Sequence, residues 1–253
     1  MDYEELLNTA TDIGFLLLEN GAEIYRVEES VQRILTAYGV PQADVFAIPT
    51  CLITTLYVDG KAHTRLRRVN SRTTDLDRVQ QYNDLCRTVC RMTPSPEEVE
   101  KRIAKIKRRP VYGLKWQMAG YALTGGSFAL FFGGTLRDAL CALVISALLR
   151  LLVMPMEKLH TNSFFISLVG SGLGAALAIA AVFLGAGQNL DKIIIGFLMN
   201  LVPGMALTNA IRDIIAGDLV AGVTRLTEAL LTAVAMALGA GLALSIMHMA
   251  GGM

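Results

Sequence analysis

Charged residues are scarce in the second half of this 253-residue sequence. Residues 1–110 carry 32 of the 45 Lys, Arg, Asp and Glu side chains, and residues 111–253 carry only 13. A soluble protein does not usually leave so long a segment poor in charge, whereas a membrane domain does. The net charge of +1 argues against a nucleic-acid binder, which needs a basic excess, and the apolar content of 53% argues against disorder.

Histidine and cysteine are also few, with three and four residues respectively. The nearest Cys–His pair is Cys51 and His63, and no zinc-binding spacing, P-loop or dinucleotide-binding fingerprint is present. Cys86 and Cys90 lie one helical turn apart and are typical of core thiols in a reducing compartment. We therefore expect no catalytic residues, no metal, no cofactor and no ATP-driven transport by this chain alone.

Long uncharged stretches predict the membrane segments, since about 20 mostly apolar residues cross a bilayer. Between Lys158 and Asp191, for example, 32 residues carry no formal charge. Arg150 interrupts the second stretch near its end, where its side chain is expected to snorkel to the interface. Frequent glycines favour close helix packing and leave self-association of the chain open. The sequence predicts spans at about 115–134, 137–156, 164–185, 191–209 and 226–248.

The distribution of basic residues predicts the orientation of these spans. Six Lys and Arg residues fall within residues 101–109, just before the first span. If that run is cytoplasmic, the other cytoplasmic loops hold Lys158, Arg212 and Arg225, and the outer loops hold only Arg137 and Lys192. We expect an inner-membrane protein with its N-terminus inside and its C-terminus outside. An acidic start over residues 1–7 predicts no signal peptide.

Residues 1–110 show helical periodicity over residues 6–18 and 24–35, followed by strand-like runs at 45–48, 52–58 and 63–69. Asp59 and Gly60 are typical of a hairpin turn, and Ser95 before Pro96 is typical of a helix start. The predicted fold is an α+β cytoplasmic domain over residues 1–110, followed by an all-α transmembrane domain of about five helices over residues 111–253.

A polar set in the N-terminal part could form a pocket for an anion or a carboxylate, because Arg binds carboxylates bidentately. The alternative is a solvated surface with ordinary ion pairs. The candidates are Glu23, Arg26, Glu29, Pro49, Thr50, Arg68, Arg72 and Asp75.

The fourth predicted span contains the most informative pattern. Asn200 and Pro203 interrupt an apolar helix, and a proline there frees a backbone carbonyl. Broken helices expose backbone groups to substrate in transporters, although a structural kink with interfacial caps is the alternative. The predicted substrate path comprises Asn200, Pro203, Gly204, Thr208, Asn209, Arg212, Asp213, Asp218, Arg225 and Glu228.

These motifs resemble the threonine/serine exporter (ThrE) family, in particular its split form with a YjjP-like N-terminal subunit. The resemblance covers essentially the whole chain and lies in residues 21–28 (GAEIYRVE), 48–50 (IPT), 75–77 (DLD), 202–213 (VPGMALTNAIRD) and 217–218 (GD). It implies export of threonine and serine, or of succinate in split pairs. It also implies a YjjB-like membrane subunit as partner, since fused members have about twice as many spans.

The leading hypothesis is therefore a subunit of an inner-membrane exporter of small carboxylates, embedded in the lipid bilayer and without a nucleic-acid partner. Arg212 would meet the substrate carboxylate, Asn200 and residues 203–204 would line the path, and Asp213 or Asp218 could carry a coupling proton. The alternatives are a membrane-anchored hydrolase-like enzyme and a small-molecule sensor, each carried by the N-terminal part.

Overall fold

The structure is a computed structural model that describes residues 3–110, 112–159 and 161–249. Val111, the first residue of the second predicted domain, lies outside the described residues. Residues 1–2 and 250–253, at the two ends of the chain, also lie outside them. The described residues form ten helices: α1 (Tyr3–Glu19), α2 (Ile24–Ala37), α3 (Leu76–Met92), α4 (Pro96–Lys107), α5 (Leu114–Phe131), α6 (Leu136–Lys158), α7 (Ser163–Phe183), α8 (Leu190–Leu198), α9 (Gly204–Ala216) and α10 (Leu219–Met249).

Three strands form one antiparallel sheet in the order β1-β2-β3, with β1 at Gln42–Ile48, β2 at Cys51–Val58 and β3 at Lys61–Arg68. Along β2, Leu52, Thr54 and Leu56 are buried while the residues between them are more exposed, which is the period-2 pattern of a one-sided sheet. The predicted Asp59-Gly60 hairpin is confirmed, because both residues have positive φ and connect β2 to β3.

Side-chain caps fix several helix starts. Ser95 accepts from the amide of Glu98 with Pro96 in the first turn, which confirms the predicted start of α4. Asp75 caps α3 by accepting from the amide of Arg78. Thr135 and Asp138 form a capping box at the start of α6.

The chain divides into two compact units. The first comprises Met1–Pro110 together with Met205–Thr227, and the second comprises Val111–Gly204 together with Glu228–Met253. The core of the first unit contains buried residues of α1 to α4 and the sheet, and it also includes Ala221 of α10. The core of the second unit is built around residues such as Ala142, Leu149 and Phe197.

The predicted fold class, an α+β domain followed by about five transmembrane helices, is wrong. The chain is 71% helical with only a small three-stranded sheet, and six helices, α5 to α10, follow Pro110 in the described residues. The fourth predicted span is interrupted at Pro203, as its sequence indicated, and contains parts of two helices, α8 and α9. Pro203 lacks an amide proton, and in a helix its ring clashes with the carbonyl group four residues earlier. It therefore cannot continue a helix, and α8 and α9 are separate helices.

Three helices among the described residues are long and apolar enough to cross a membrane: α6, α7 and α10. Their exposed surfaces are rich in large apolar side chains such as Leu140, Leu173 and Leu238, which is the composition expected of helices that face lipid.

Candidate functional site

The turn between α1 and α2 is the centre of the candidate site, and it lies in the first unit. Gly21 has a φ of +93°, and a Cβ at this position would lie 2.9 Å from the carbonyl oxygen of Thr73. Only glycine fits such a conformation and such a close approach without strain. Glu23 is the N-cap residue of α2, but its side chain makes no capping hydrogen bond. The first amides of α2 therefore need an acceptor from elsewhere.

Asp213 of α9 supplies that acceptor. Its Oδ1 accepts a hydrogen bond of 3.1 Å from the amide of Ile24, the first residue of α2. The Asp213 side chain is completely buried, and its negative charge faces the positive end of the α2 dipole. A side chain 189 positions along the chain thus performs the capping that Glu23 does not.

Arg225 of α10 completes the contact. Its Nη1 lies 3.1 Å from Oδ2 of Asp213, and its Nη2 donates a 2.8 Å hydrogen bond to the carbonyl oxygen of Ala22. The two charged side chains are 7% and 0% exposed. Further hydrogen bonds stabilise a buried ion pair, and the backbone of the turn provides one for each of the two side chains here.

Two more α9 side chains bind the same turn. Nδ2 of Asn209 donates to the carbonyl oxygen of Gly21 at 3.0 Å, and Nη1 of Arg212 donates to Oε1 of Glu23 at 2.8 Å. Arg212 is 52% exposed, so this outer pair is accessible to solvent. We call the four residues that hold residues 21–24 the turn clamp: Asn209, Arg212, Asp213 and Arg225.

The geometry of the α9–α10 connection places the turn clamp on one side of the helix pair. Gly217 has a φ of +99°, and the amide of Asp218 donates to the carbonyl oxygen of Asp213 at 2.9 Å. A Cβ on Gly222 would lie 2.9 Å from the carbonyl oxygen of Ala210 and 3.0 Å from the amide of Ile214. The two helices therefore touch backbone to backbone at Gly222, which fixes Asp213 relative to Arg225.

Three carboxyl groups in this part of the unit have raised pKa values. Burial raises the pKa of Glu28, and the nearby charges of Asp218 and Asp213 raise it further, while a 2.7 Å hydrogen bond from the amide of Ala47 acts in the opposite direction. Burial likewise raises the pKa of Asp213, opposed by Arg225 and by the amide of Ile24. Burial raises the pKa of Asp218. A proton is therefore held more tightly here than on a solvated carboxylate.

The remaining predicted path residues lie elsewhere. Asn200 is half-buried in the turn after α8, where its Nδ2 donates to Oγ of Ser146 at 3.1 Å and to the carbonyl oxygen of Phe197 at 3.2 Å. Pro203 separates α8 from α9. Gly204 and Thr208 are exposed residues of α9, and Glu228 is an exposed residue of α10.

The predicted N-terminal pocket residues are distributed over three places. Glu23 joins the turn clamp, and Arg26 lies 3.5 Å from its second carboxylate oxygen. Arg26 and Glu29 also line an open groove of about 1090 Å³ between α2 and α3, with Arg33, Arg87 and Arg91 among the other lining residues.

The others flank the sheet and the start of α3. Pro49 and Thr50 form the β1–β2 turn, next to Arg68, which is paired with Cys51 in the sheet register. Asp75 caps α3, and Arg72 lies in the preceding loop. Within the described residues, no group of three or more His, Cys, Asp or Glu side chains could hold a metal ion.

Sequence reasoning missed three of the four partners of the turn clamp. They are backbone atoms of Gly21, Ala22 and Ile24, which have no side-chain signature. Glu28 was also missed as a site residue. The sequence did contain one signal: Gly21 stands at a predicted helix end, and residues 23–29 after it hold three acidic residues and an Arg. The second polar motif, at residues 208–228, lies far away in the sequence.

Comparison with known proteins identifies the class to which this arrangement belongs. A family model described as "Putative threonine/serine exporter" matches residues 8–247. The chain belongs to the threonine/serine exporter (ThrE) family. Because the match includes both the α1–α2 turn and the turn clamp, the two halves of the site fall inside the region that defines the family. The predicted family is thereby confirmed.

Two curated relatives of the ThrE family are similar over nearly all of the chain. A "Probable threonine/serine exporter" of Mycobacterium tuberculosis is 24% identical over 241 residues, covering 93% of this chain and 45% of the relative. A "Threonine/serine exporter" of Corynebacterium glutamicum is 24% identical over 249 residues, covering 95% and 51%. The chain thus spans about half the length of the curated relatives it matches. No solved structure matches.

These names settle two broader points. Both relatives are named as transporters rather than enzymes, so the expectation of a transporter family is confirmed. Family membership, together with three helices able to cross a bilayer, identifies the chain as a membrane protein.

Proposed function

We propose that this chain is a subunit of an inner-membrane exporter of small carboxylates, with threonine and serine or a succinate-type dicarboxylate as substrates. The observation that carries the proposal is the ThrE match over residues 8–247, which includes the whole turn clamp. The names of the two relatives favour the hydroxy amino acids. Every candidate substrate offers a carboxylate, which Arg side chains bind well.

The proposed exporter includes a second membrane subunit of the YjjB type. The two relatives are about twice as long as this chain, so an exporter of their size has a further part beyond the region matched here. We propose that the second subunit supplies that part and that the substrate path is complete only in the assembly.

The turn clamp offers a specific place for the carboxylate. Arg212 is half exposed and already holds the carboxylate of Glu23 at 2.8 Å, so an incoming carboxylate can take the position of Glu23. Behind it, Asp213 and Asp218 have raised pKa values and are the candidates for a coupling proton. Asn200, Pro203 and Gly204 would contribute to the path through the broken segment between α8 and α9.

The orientation in the membrane is part of the same proposal. The basic run at residues 101–109 favours a cytoplasmic N-terminus, and an odd number of membrane crossings then places the C-terminus outside. The turn clamp would be supplied from the cytoplasm, which is where an exporter receives its substrate.

The decisive experiment is efflux of radiolabelled threonine, serine and succinate from cells that express the chain with and without a YjjB-type partner. We expect efflux of at least one solute above the empty-vector control only when both subunits are present. The Arg212→Ala variant should lower that efflux at equal expression. The absence of efflux of all three solutes from the pair would contradict the proposal, and full activity of the chain alone would contradict the partner.

A further inference from the structure

Arg150 is a charged side chain inside the second unit, on the membrane-length helix α6. The sequence predicts that it snorkels to the interface, but only 12% of its side chain is exposed. Instead, its Nε donates to Oε1 of Gln117 at 2.8 Å, and its Nη1 donates to Oε2 of Glu157 at 2.8 Å. Its guanidinium carbon also lies 5.5 Å from the ring centroid of Tyr121.

The helix periodicity explains why these groups meet. Gln117 and Tyr121 are four residues apart on α5 and share a face, and Glu157 lies two turns after Arg150 on the same face of α6. One neighbour is an amide, one is a carboxylate and one is an aromatic ring. Together they provide hydrogen bonds, charge neutralisation and a cation–π contact for a guanidinium that is withdrawn from water.

A buried arginine on a membrane-spanning helix is costly and commonly marks a substrate path. The simpler explanation is that the Arg150–Glu157 pair only stabilises the helix packing. One detail favours binding. The Arg150 side chain is only 12% exposed, whereas Glu157 is 48% exposed, so solvent reaches the carboxylate end of the pair.

Glu157 also shows which chemical group fits the position. It presents a single carboxylate oxygen to Arg150, whereas a free carboxylate can bind both nitrogens of a guanidinium fork. One turn earlier on α6, Ser146 accepts a hydrogen bond from Asn200, so polar groups continue along the same face toward the broken segment after α8.

We propose that Arg150 binds the carboxylate of the transported solute and that Glu157 occupies this position when the solute is absent. This inference rests on the proposed exporter function and adds a second carboxylate-binding residue to it, separate from Arg212. Solute and Glu157 compete for one guanidinium, so the carboxylate of Glu157 should lower the affinity for the solute.

The test compares transport kinetics of radiolabelled L-threonine and succinate in inverted membrane vesicles that contain the chain and its partner. We expect Arg150→Lys to raise KM about tenfold or more with a smaller change in maximal rate, because Lys keeps the charge but lacks the fork. Glu157→Gln should lower KM severalfold. Arg137→Lys, the same substitution at an exposed position of α6, is the matched control and should leave KM unchanged.

A purely structural ion pair predicts the opposite pattern. Arg150→Lys would then transport like the wild type, Glu157→Gln would impair transport as strongly as Arg150→Gln, and the double variant Arg150→Gln/Glu157→Gln would recover activity. Any of these three results would overturn the inference while leaving the exporter function intact. Gel-filtration profiles in detergent verify that each variant is folded.

A second measurement keeps the inference testable if the wild type transports neither solute, the result that would contradict the proposed function itself. Thermal unfolding of the purified protein in detergent is recorded with and without millimolar L-threonine or succinate. Stabilisation of the wild type that is lost in Arg150→Lys and retained in Arg137→Lys supports Arg150 as a binding residue. The absence of stabilisation in the wild type overturns it.

Discussion

The Asp213–Arg225 pair is a buried ion pair whose two members are both hydrogen-bonded to the backbone of the α1–α2 turn. Such a pair is weak evidence for stability in itself, because removing two charges from water costs about as much as their attraction gains. The removal of one partner is a different case, since it leaves the other charge buried and uncompensated. The main effect of the pair is therefore to specify that α9 and α10 bind the α1–α2 turn. Its contribution to the free energy of unfolding is smaller.

We predict that Asp213→Asn lowers the free energy of unfolding by about 3 kcal/mol, because Arg225 would stay buried without a counter-charge. Asn retains an acceptor oxygen for the amide of Ile24, so the loss reports the charge rather than the cap. The double variant Asp213→Asn/Arg225→Met should be less destabilised than the sum of the two single variants. The measurement is denaturation of the purified protein in detergent.

The control for this prediction is Arg33→Gln, which breaks the exposed i,i+4 pair with Glu29. An exposed pair contributes roughly 0.3–0.5 kcal/mol, so this variant should unfold almost like the wild type. Additive effects in the Asp213–Arg225 double variant would show that the two side chains do not act as a pair.

At the scale of elements, the seam between α9 and α10 positions the turn clamp. Gly222 allows backbone contact with Ala210 and Ile214, and an added methyl group would lie only 2.9 Å from the carbonyl oxygen of Ala210 and 3.0 Å from the amide of Ile214. Two rigid backbones cannot absorb such an overlap by a rotamer change, so α9 must shift. A shift of α9 displaces Asn209 and Asp213 from the turn that they hold.

We therefore predict that Gly222→Ala lowers the free energy of unfolding by about 1–3 kcal/mol and reduces efflux at equal expression. The matched control is Gly241→Ala on the same helix, where a Cβ would meet nothing within 4 Å. There, alanine should be neutral or stabilise the helix by about 0.5–1 kcal/mol. Equal melting temperatures of the two variants would contradict the predicted role of the seam.

The sequence predicted some elements well because the information is local. The hairpin at Asp59-Gly60 and the cap at Ser95 depend on residues within a few positions of each other. The packing of the fourth predicted span could not be predicted, for the opposite reason. Its 19 uncharged residues satisfy a hydropathy criterion, and Pro203 indicates a break, but neither shows that residues 205–227 pack with the N-terminal unit. That outcome depends on contacts nearly 190 positions apart.

At the scale of the whole molecule, the charge-poor half of the sequence holds two kinds of charged residue. Some lie at helix ends or in loops, as Lys158 and Lys192 do. Others make specific contacts away from most solvent: Asp213 and Arg225 are buried in the first unit, and Arg150 is mostly buried in the second. Composition alone could not separate these classes, because burial of a charge depends on partners such as Gln117 and the backbone of Ala22. This is why Arg150 was expected to snorkel.

The orientation of the membrane helices is a proposal that cysteine labelling can test. In a variant with its native cysteines replaced by serine, single cysteines are placed at Ala186, between α7 and α8, and at Ser163, at the start of α7. Both positions are exposed. If the basic run at residues 101–109 is cytoplasmic and α5 crosses the membrane, as the predicted span at 115–134 requires, a membrane-impermeant maleimide should label the 186 position in intact cells. It should label the 163 position only after permeabilisation. The reverse pattern would contradict this arrangement: either the basic run lies outside, or α5 does not cross the membrane.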